Sequence, residues 1–166
     1  NEVRAGGPGQ LFFVVGMPSK PTTLFQEYFT VKDIDKDGKA FDKVSRLHCE
    51  GDDVKLTLDI NMDIYPARLN DEFRVTIAST LSPGDTSVEV GEFNPRLEES
   101  SLFQENEYIM FGRVFKTKPE VPNVSIYASF GGLLMQLFGD PGNLKDIVAL
   151  DSNANIYLLM HKTKDY

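Results

Sequence analysis

Tryptophan is missing from these 166 residues, cysteine occurs once (Cys49), and histidine occurs twice, at His48 and His161. A single cysteine excludes an intramolecular disulfide framework and suits a reducing compartment. Structural zinc sites usually take four Cys or His ligands, so no metal centre is expected. Long apolar runs are also lacking. None approaches the roughly 20 residues needed to cross a bilayer as a helix, and no membrane association is expected. Positive charge is scarce: 17 Lys and Arg stand against 25 Asp and Glu, for a net charge of −8 and a pI near 4.7. Generic nucleic-acid affinity comes from Lys and Arg displacing counterions. The acidic balance disfavours that role and suits docking onto a more basic partner. Catalytic motifs are absent too, with no Walker-type phosphate loop, no dinucleotide fingerprint and no Gly-x-Ser-x-Gly elbow. Neither a catalytic residue nor a cofactor is expected.

What the chain does have is a strand-like rhythm. Val54 to Met62 is the clearest case, with Val54, Leu56, Leu58, Ile60 and Met62 alternating with Lys55, Thr57, Asp59 and Asn61. That period of two places apolar residues on one face and polar residues on the other. Leu24–Ile34, Phe41–Glu50, Phe73–Ala78, Tyr108–Phe115, Val124–Phe130, Leu133–Phe138 and Ile156–His161 complete eight candidates. Asp35-Lys36-Asp37-Gly38 and Glu50-Gly51-Asp52-Asp53 favour tight connections. Pro119 and Pro122 are expected to interrupt pairing, because proline donates no ladder hydrogen bond. With no long amphipathic helix, this pattern predicts an antiparallel barrel or sandwich.

Two stretches break the rhythm. Residues 1–23 combine Ala5-Gly6-Gly7-Pro8-Gly9 with a second turn-rich segment after Met17, and are expected to form a flexible extension to a single domain over 24–166. Met17 is a plausible native start, which would leave residues 1–16 as non-native. Residues 82–107 hold Asp85, Glu89, Glu92, Glu98, Glu99, Glu105 and Glu107 against Arg96 alone. A long acidic loop inside a compact domain is usually functional or mobile.

Several residue groups invite a chemical reading. Asp33-x-Asp35-x-Asp37-Gly38 resembles the opening of a calcium loop, but position twelve is Val44, which has no carboxylate, so a β-turn is expected. His48 and Cys49 are adjacent, and neighbours on a strand point to opposite faces. Cys49 is expected in the core and His48 outside, while His161, beside Lys162 and Lys164, is read as part of a solvated tail. Lys36, Lys39, Lys43, Arg46 and Lys55 form a basic cluster suited at most to weak, non-specific single-stranded nucleic acid. Asp35, Asp37, Asp42, Asp52 and Asp53 interleave with it and cancel much of its field. Gly131-Gly132-Leu133-Leu134-Met135 follows an apolar run without a polar spacer. It predicts a sharp sheet corner and, alternatively or in addition, a partner-binding edge.

Taken in order, Val31-Lys32-Asp33-Ile34-Asp35, Val44-Ser45-Arg46-Leu47-His48-Cys49-Glu50, Leu56-Thr57-Leu58-Asp59-Ile60-Asn61, Ile77-Ala78-Ser79-Thr80-Leu81, Tyr108-Ile109-Met110-Phe111-Gly112, Tyr127 to Leu137 and Ile156-Tyr157-Leu158-Leu159-Met160 carry a resemblance. They resemble the small subunit shared by eukaryotic nuclear RNA polymerases I, II and III, the eighth in the usual polymerase II series, from about Leu24 to about Lys162. The resemblance implies an all-β, eight-stranded OB-like antiparallel barrel with a long variable loop. It also implies a non-catalytic role in transcription, attachment to the largest subunit of each polymerase, and residence in the nucleus, nucleolus included. The extra N-terminus and the acidic loop depart from the family pattern.

Overall fold

The computed structural model describes residues 23–39, 41–80 and 101–164. Residues 1–22, including Met17, and most of the acidic loop lie outside the described residues. Eight strands follow one another: β1 (Thr23–Ile34), β2 (Val44–Glu50), β3 (Val54–Asn61), β4 (Glu72–Ala78), β5 (Tyr108–Glu120), β6 (Asn123–Phe130), β7 (Leu133–Gly139) and β8 (Asn155–Lys164). Two one-turn helices, α1 (Ser101–Gln104) and α2 (Lys145–Val148), sit in the connections. Every pairing is antiparallel, and the order β1-β2-β3-β7-β6-β5-β8-β4 closes into a barrel.

Alternation fills the interior. Leu56, Leu58 and Ile60 of β3 point inward, where they join Phe29, Phe73, Leu47, Ile126 and Leu137 in one buried cluster. Fully burying such a side chain contributes roughly 1.5–3 kcal/mol. Alternation is weaker in β4 and absent over Ile156–Met160 of β8, because both faces are covered there. Outside the barrel, Ala78, Tyr157 and Leu159 form a second buried cluster under Leu102 and Ile109.

Strand directions sort the connections into two ends. The β1–β2 connection (residues 35–43), the β3–β4 connection (62–71) and the Gly131–Gly132 turn share one end. The β2–β3, β5–β6 and β7–β8 connections share the other. Asp35 to Gly38 forms the expected turn, with Gly38 N–H donating to the Asp35 carbonyl at 2.9 Å. The β1–β2 connection is nevertheless longer than a tight hairpin, because β2 begins only at Val44.

Two expectations need correction. Pro119 does not interrupt pairing: β5 runs on to Glu120, with Pro119 opposite Val124, and the chain turns only at Val121–Pro122. Pairing of β5 with β8 stops at Arg113, so among the described residues the Pro119 stretch has a strand on one side only. An unpaired edge is where a missing N–H goes unnoticed. His161 likewise lies inside β8, opposite Arg74 of β4, and not in a solvated tail.

Candidate functional site: a notch at one end of the barrel

Gly131 and Gly132 form a two-residue turn between β6 and β7, with φ of +64° and +100°. Positive φ at both central positions matches the right-handed twist of a tight hairpin and favours glycine. Both residues are exposed, and a Cβ added to either would meet nothing within 4 Å. Their glycines therefore serve backbone conformation and not close approach. Ser129 Oγ accepts the Gly132 N–H at 3.2 Å.

The hairpin is short relative to its neighbours. β7 pairs with β3 only as far as Met135 opposite Leu58, and β6 pairs with β5 only as far as Ser129 opposite Arg113. Beyond those points β3 continues through Asn61, and β5 extends back to Tyr108. The result is a notch with the Gly-Gly turn at its base. A groove of about 580 Å³ opens there, lined among others by Asn61, Ile64, Phe103, Tyr108, Phe111 and Leu133. Ile64, Phe103 and Phe111 are exposed. Tyr108 stacks on Tyr65 at 5.0 Å and accepts the Asn61 N–H at 3.1 Å, bracing the mouth of the barrel.

Alternation divides the sequence-derived docking residues. Met135 is buried inside the barrel, Leu133 is half-buried against the core, and Leu134 faces outward at 42% exposure. The Leu134 N–H donates to Asp59 Oδ2 at 3.0 Å. Asp59 also accepts from Arg46, at 2.7 Å from Nε and 3.1 Å from the terminal nitrogen, forming a two-point contact. This shielded carboxylate ties β2, β3 and β7 together where the ladder between β3 and β7 ends. Only the cross-strand register brings Arg46, Asp59 and Leu134 together, so no sequence signal marks the link.

The basic cluster comes together only in part. Lys36, Lys39 and Lys43 lie in the β1–β2 connection, with Lys43 3.8 Å from Asp63. Arg46 is taken by Asp59. Its N–H donates to Asp35, whose carboxyl lies below its ordinary value: slight burial opposes ionisation, but this bond and one from Ser45 outweigh it. Lys55 lies toward the far end of β3, opposite Glu50 on one side and Phe138 on the other. The exposed Phe41 lines a hollow of about 60 Å³ with Arg46 and His48. Burial, reinforced by Lys36, lowers the His48 pKa. Burial pushes the Cys49 thiol up to about 12, so it stays protonated and unreactive.

One polar network escapes sequence reading entirely. Glu107, just before β5, accepts from Tyr65 Oη at 2.6 Å and from the Lys162 N–H at 2.9 Å, and it contacts His161. Burial alone would raise the Glu107 carboxyl, but these partners hold it below the usual carboxylate range. Lys162 Nζ reaches the fully buried Asp71 at 3.4 Å and stands over the rings of Tyr65 and Phe73, at 5.9 and 5.7 Å from their centroids. The network pins the β3–β4 connection to β8 beside the notch. Among the described residues, no three His, Cys, Asp or Glu side chains gather as a metal site.

Comparison with known proteins agrees with this architecture. Residues 26–162 match the family described as RNA polymerase Rpb8. The "Probable DNA-directed RNA polymerases I, II, and III subunit RPABC3" of Caenorhabditis briggsae is 41% identical over 147 residues, covering 84% of this chain and 96% of the relative. The corresponding Dictyostelium discoideum subunit is 41% identical over 143 residues, covering 84% and 96%. That of Saccharomyces cerevisiae is 34% identical over 149 residues, covering 84% and 98%. The family match takes in all but the ends of the barrel, and the chain belongs to the RNA polymerase Rpb8 family.

Proposed function

We propose that this chain is a non-catalytic subunit common to DNA-directed RNA polymerases I, II and III, seated on the largest subunit of each through the notch. The observation that carries the reading is the ordered match to shared polymerase subunits along nearly the whole barrel. The docking surface is Gly131, Gly132, Leu133 and the exposed side chain of Leu134, with Met135 anchoring the hairpin from inside. The apolar groove that Leu133 lines beside the turn supports this choice: contiguous exposed apolar surface on a soluble protein commonly marks an interaction site. The chain works in the nucleus, the nucleolus included, wherever the three polymerases assemble. Its role is to support the fold and assembly of the larger subunit.

The test is capture of the tagged chain from nuclear extract, washed at low and then high salt, with mass spectrometry of what remains. Largest subunits of several polymerases surviving the high-salt wash are the expected result. Recovery of nucleic acid alone, lost as salt rises, would instead identify a single-strand-binding barrel.

A further inference from the structure

The outer face of β5, β6 and β7 is chemically unlike the rest of the chain. From Tyr108 to Gly139 there are three cations, Arg113, Lys116 and Lys118, and one carboxylate, Glu120, in a protein whose net charge is −8. Register aligns them in rows across the sheet. Lys55, Phe138, Ser125 and Lys118 form one row, and Thr57, Gln136, Tyr127 and Lys116 form the next. Lys55 thus belongs with the β5 cations and not with the β1–β2 turn.

Beside this face β5 presents an open edge. Its pairing with β8 ends at Arg113, and the last bond on that side runs from the Val114 N–H to the Ala154 carbonyl at 3.0 Å. From Phe115 to Glu120, no described strand pairs with that edge. A groove of about 240 Å³ runs between it and the β7–β8 connection, lined by Phe115, Lys116, Ile147, Val148, Leu150 and Asp151 among others. Unpaired backbone beside a groove is a template for one more strand, here a short one, because the register bulges between Val114 and Lys116 and Pro119 offers no N–H.

We infer that this edge takes an extended segment of a partner protein with acidic and apolar residues in alternation. A strand has a period of two. Alternate acidic side chains would lie beside Lys116 and Lys118, and the apolar ones would face Val148 and Leu150. Lys118 is 3.7 Å from Glu120, both partly exposed, so an incoming carboxylate competes only with a weak pair. Asp151 is the one acid lining the groove and disfavours an acidic residue at that point of the register. A nucleic-acid strand fits less well. The Lys116 ammonium already stands 5.6 Å over the Tyr127 ring, and Phe115 packs against the same ring at 6.2 Å, which leaves no open stacking platform there.

The inference does not depend on polymerase assembly, because the test uses the isolated full chain. A synthetic peptide alternating glutamate and valine would be titrated into the labelled protein and followed by amide chemical shifts. Saturable shifts confined to Phe115–Lys118 and the facing residues 148–153 are expected. Lys116→Glu should weaken binding by about fivefold or more, while the charge-matched Lys32→Glu on β1 leaves it unchanged. N-methylation of alternate peptide nitrogens, which blocks strand pairing, should abolish binding. Equal binding of a lysine–valine peptide would overturn the inference, as would an indifferent N-methylated peptide or the absence of shifts. Tighter binding of oligo-deoxythymidine on the same residues would also overturn it and make the face a nucleic-acid surface.

Discussion

At the scale of single residues, two glycines with opposite physical reasons make a direct test. A Cβ on Gly112 would lie 2.1 Å from the Ser129 carbonyl oxygen and 2.7 Å from the Phe130 ring, where the tip of β6 crosses β5. Gly131 has open space but a φ of +64°. Overpacking against backbone costs about 1–3 kcal/mol and sometimes more, whereas a left-handed non-glycine residue costs roughly 1–2 kcal/mol. Gly112→Ala should therefore lower the free energy of unfolding by about 3 kcal/mol, and Gly131→Ala by about 1 kcal/mol, both read from urea melts. A harmless Gly112→Ala would mean that the β6 tip is not held where it is seen. Sequence exposed the Gly-Gly turn because two glycines without a polar spacer have few other readings. It did not separate Leu134 from Met135, since only the register shows which of the two faces inward. Nor could it pair Arg46 with Asp59, because that contact joins residues 13 positions apart.

At the scale of elements, the mouth of the barrel is held by charge as well as by apolar packing, and this gives stability a pH dependence. The folded Glu107 carboxyl lies below its ordinary value: burial works against it, and the bonds from Tyr65 and Lys162, with the His161 contact, outweigh burial. As pH falls, the unfolded chain takes up that proton first. The stabilisation is complete above the ordinary glutamate value of about 4.3 and is lost as pH falls through the lower folded value. His48, lowered by burial and then by Lys36, acts with the same sign in a higher window. Its contribution is complete above about 6.5 and shrinks as pH falls through its folded value. Urea midpoints should thus decline in two stages on acidification, and Glu107→Gln should shrink the lower stage alone, leaving the part that Asp35, also held below its ordinary value, contributes. An unchanged lower stage in that variant would show that the network does not discriminate charge. The strands were legible because alternation survives wherever one face is wet, as in β3. Misreadings fell where two faces or a free edge altered the rule. Proline sits within β5 because that stretch of strand has one described neighbour, and the lysines around His161 looked like a tail because their β4 partners lie about 90 residues earlier.

At the scale of the whole molecule, closure removes most strand edges and, among the described residues, leaves two interruptions at opposite ends of β6. One is the apolar notch above the Gly-Gly turn, and the other is the basic edge of β5 near its hairpin with β6. Eight residues of β6 separate the two turns, a span of about 25 Å. One protein segment in contact with one end does not reach the other without running along the barrel. The two surfaces should therefore fail independently. Ile64 is the probe for the notch, because its side chain lines the groove and is exposed, and its backbone is unstrained. A valine at Gly132 would strain the turn and mix folding with docking. Ile64→Asp should abolish capture of the polymerase largest subunits while changing stability by less than about 0.5 kcal/mol. Lys116→Glu should leave that capture intact. If Lys116→Glu lost capture as fully as Ile64→Asp, both ends would belong to one continuous interface and the notch would not be a separate seat. If Ile64→Asp lost nothing, the apolar groove would not be the docking surface, while membership of the polymerase-subunit family would stand untouched.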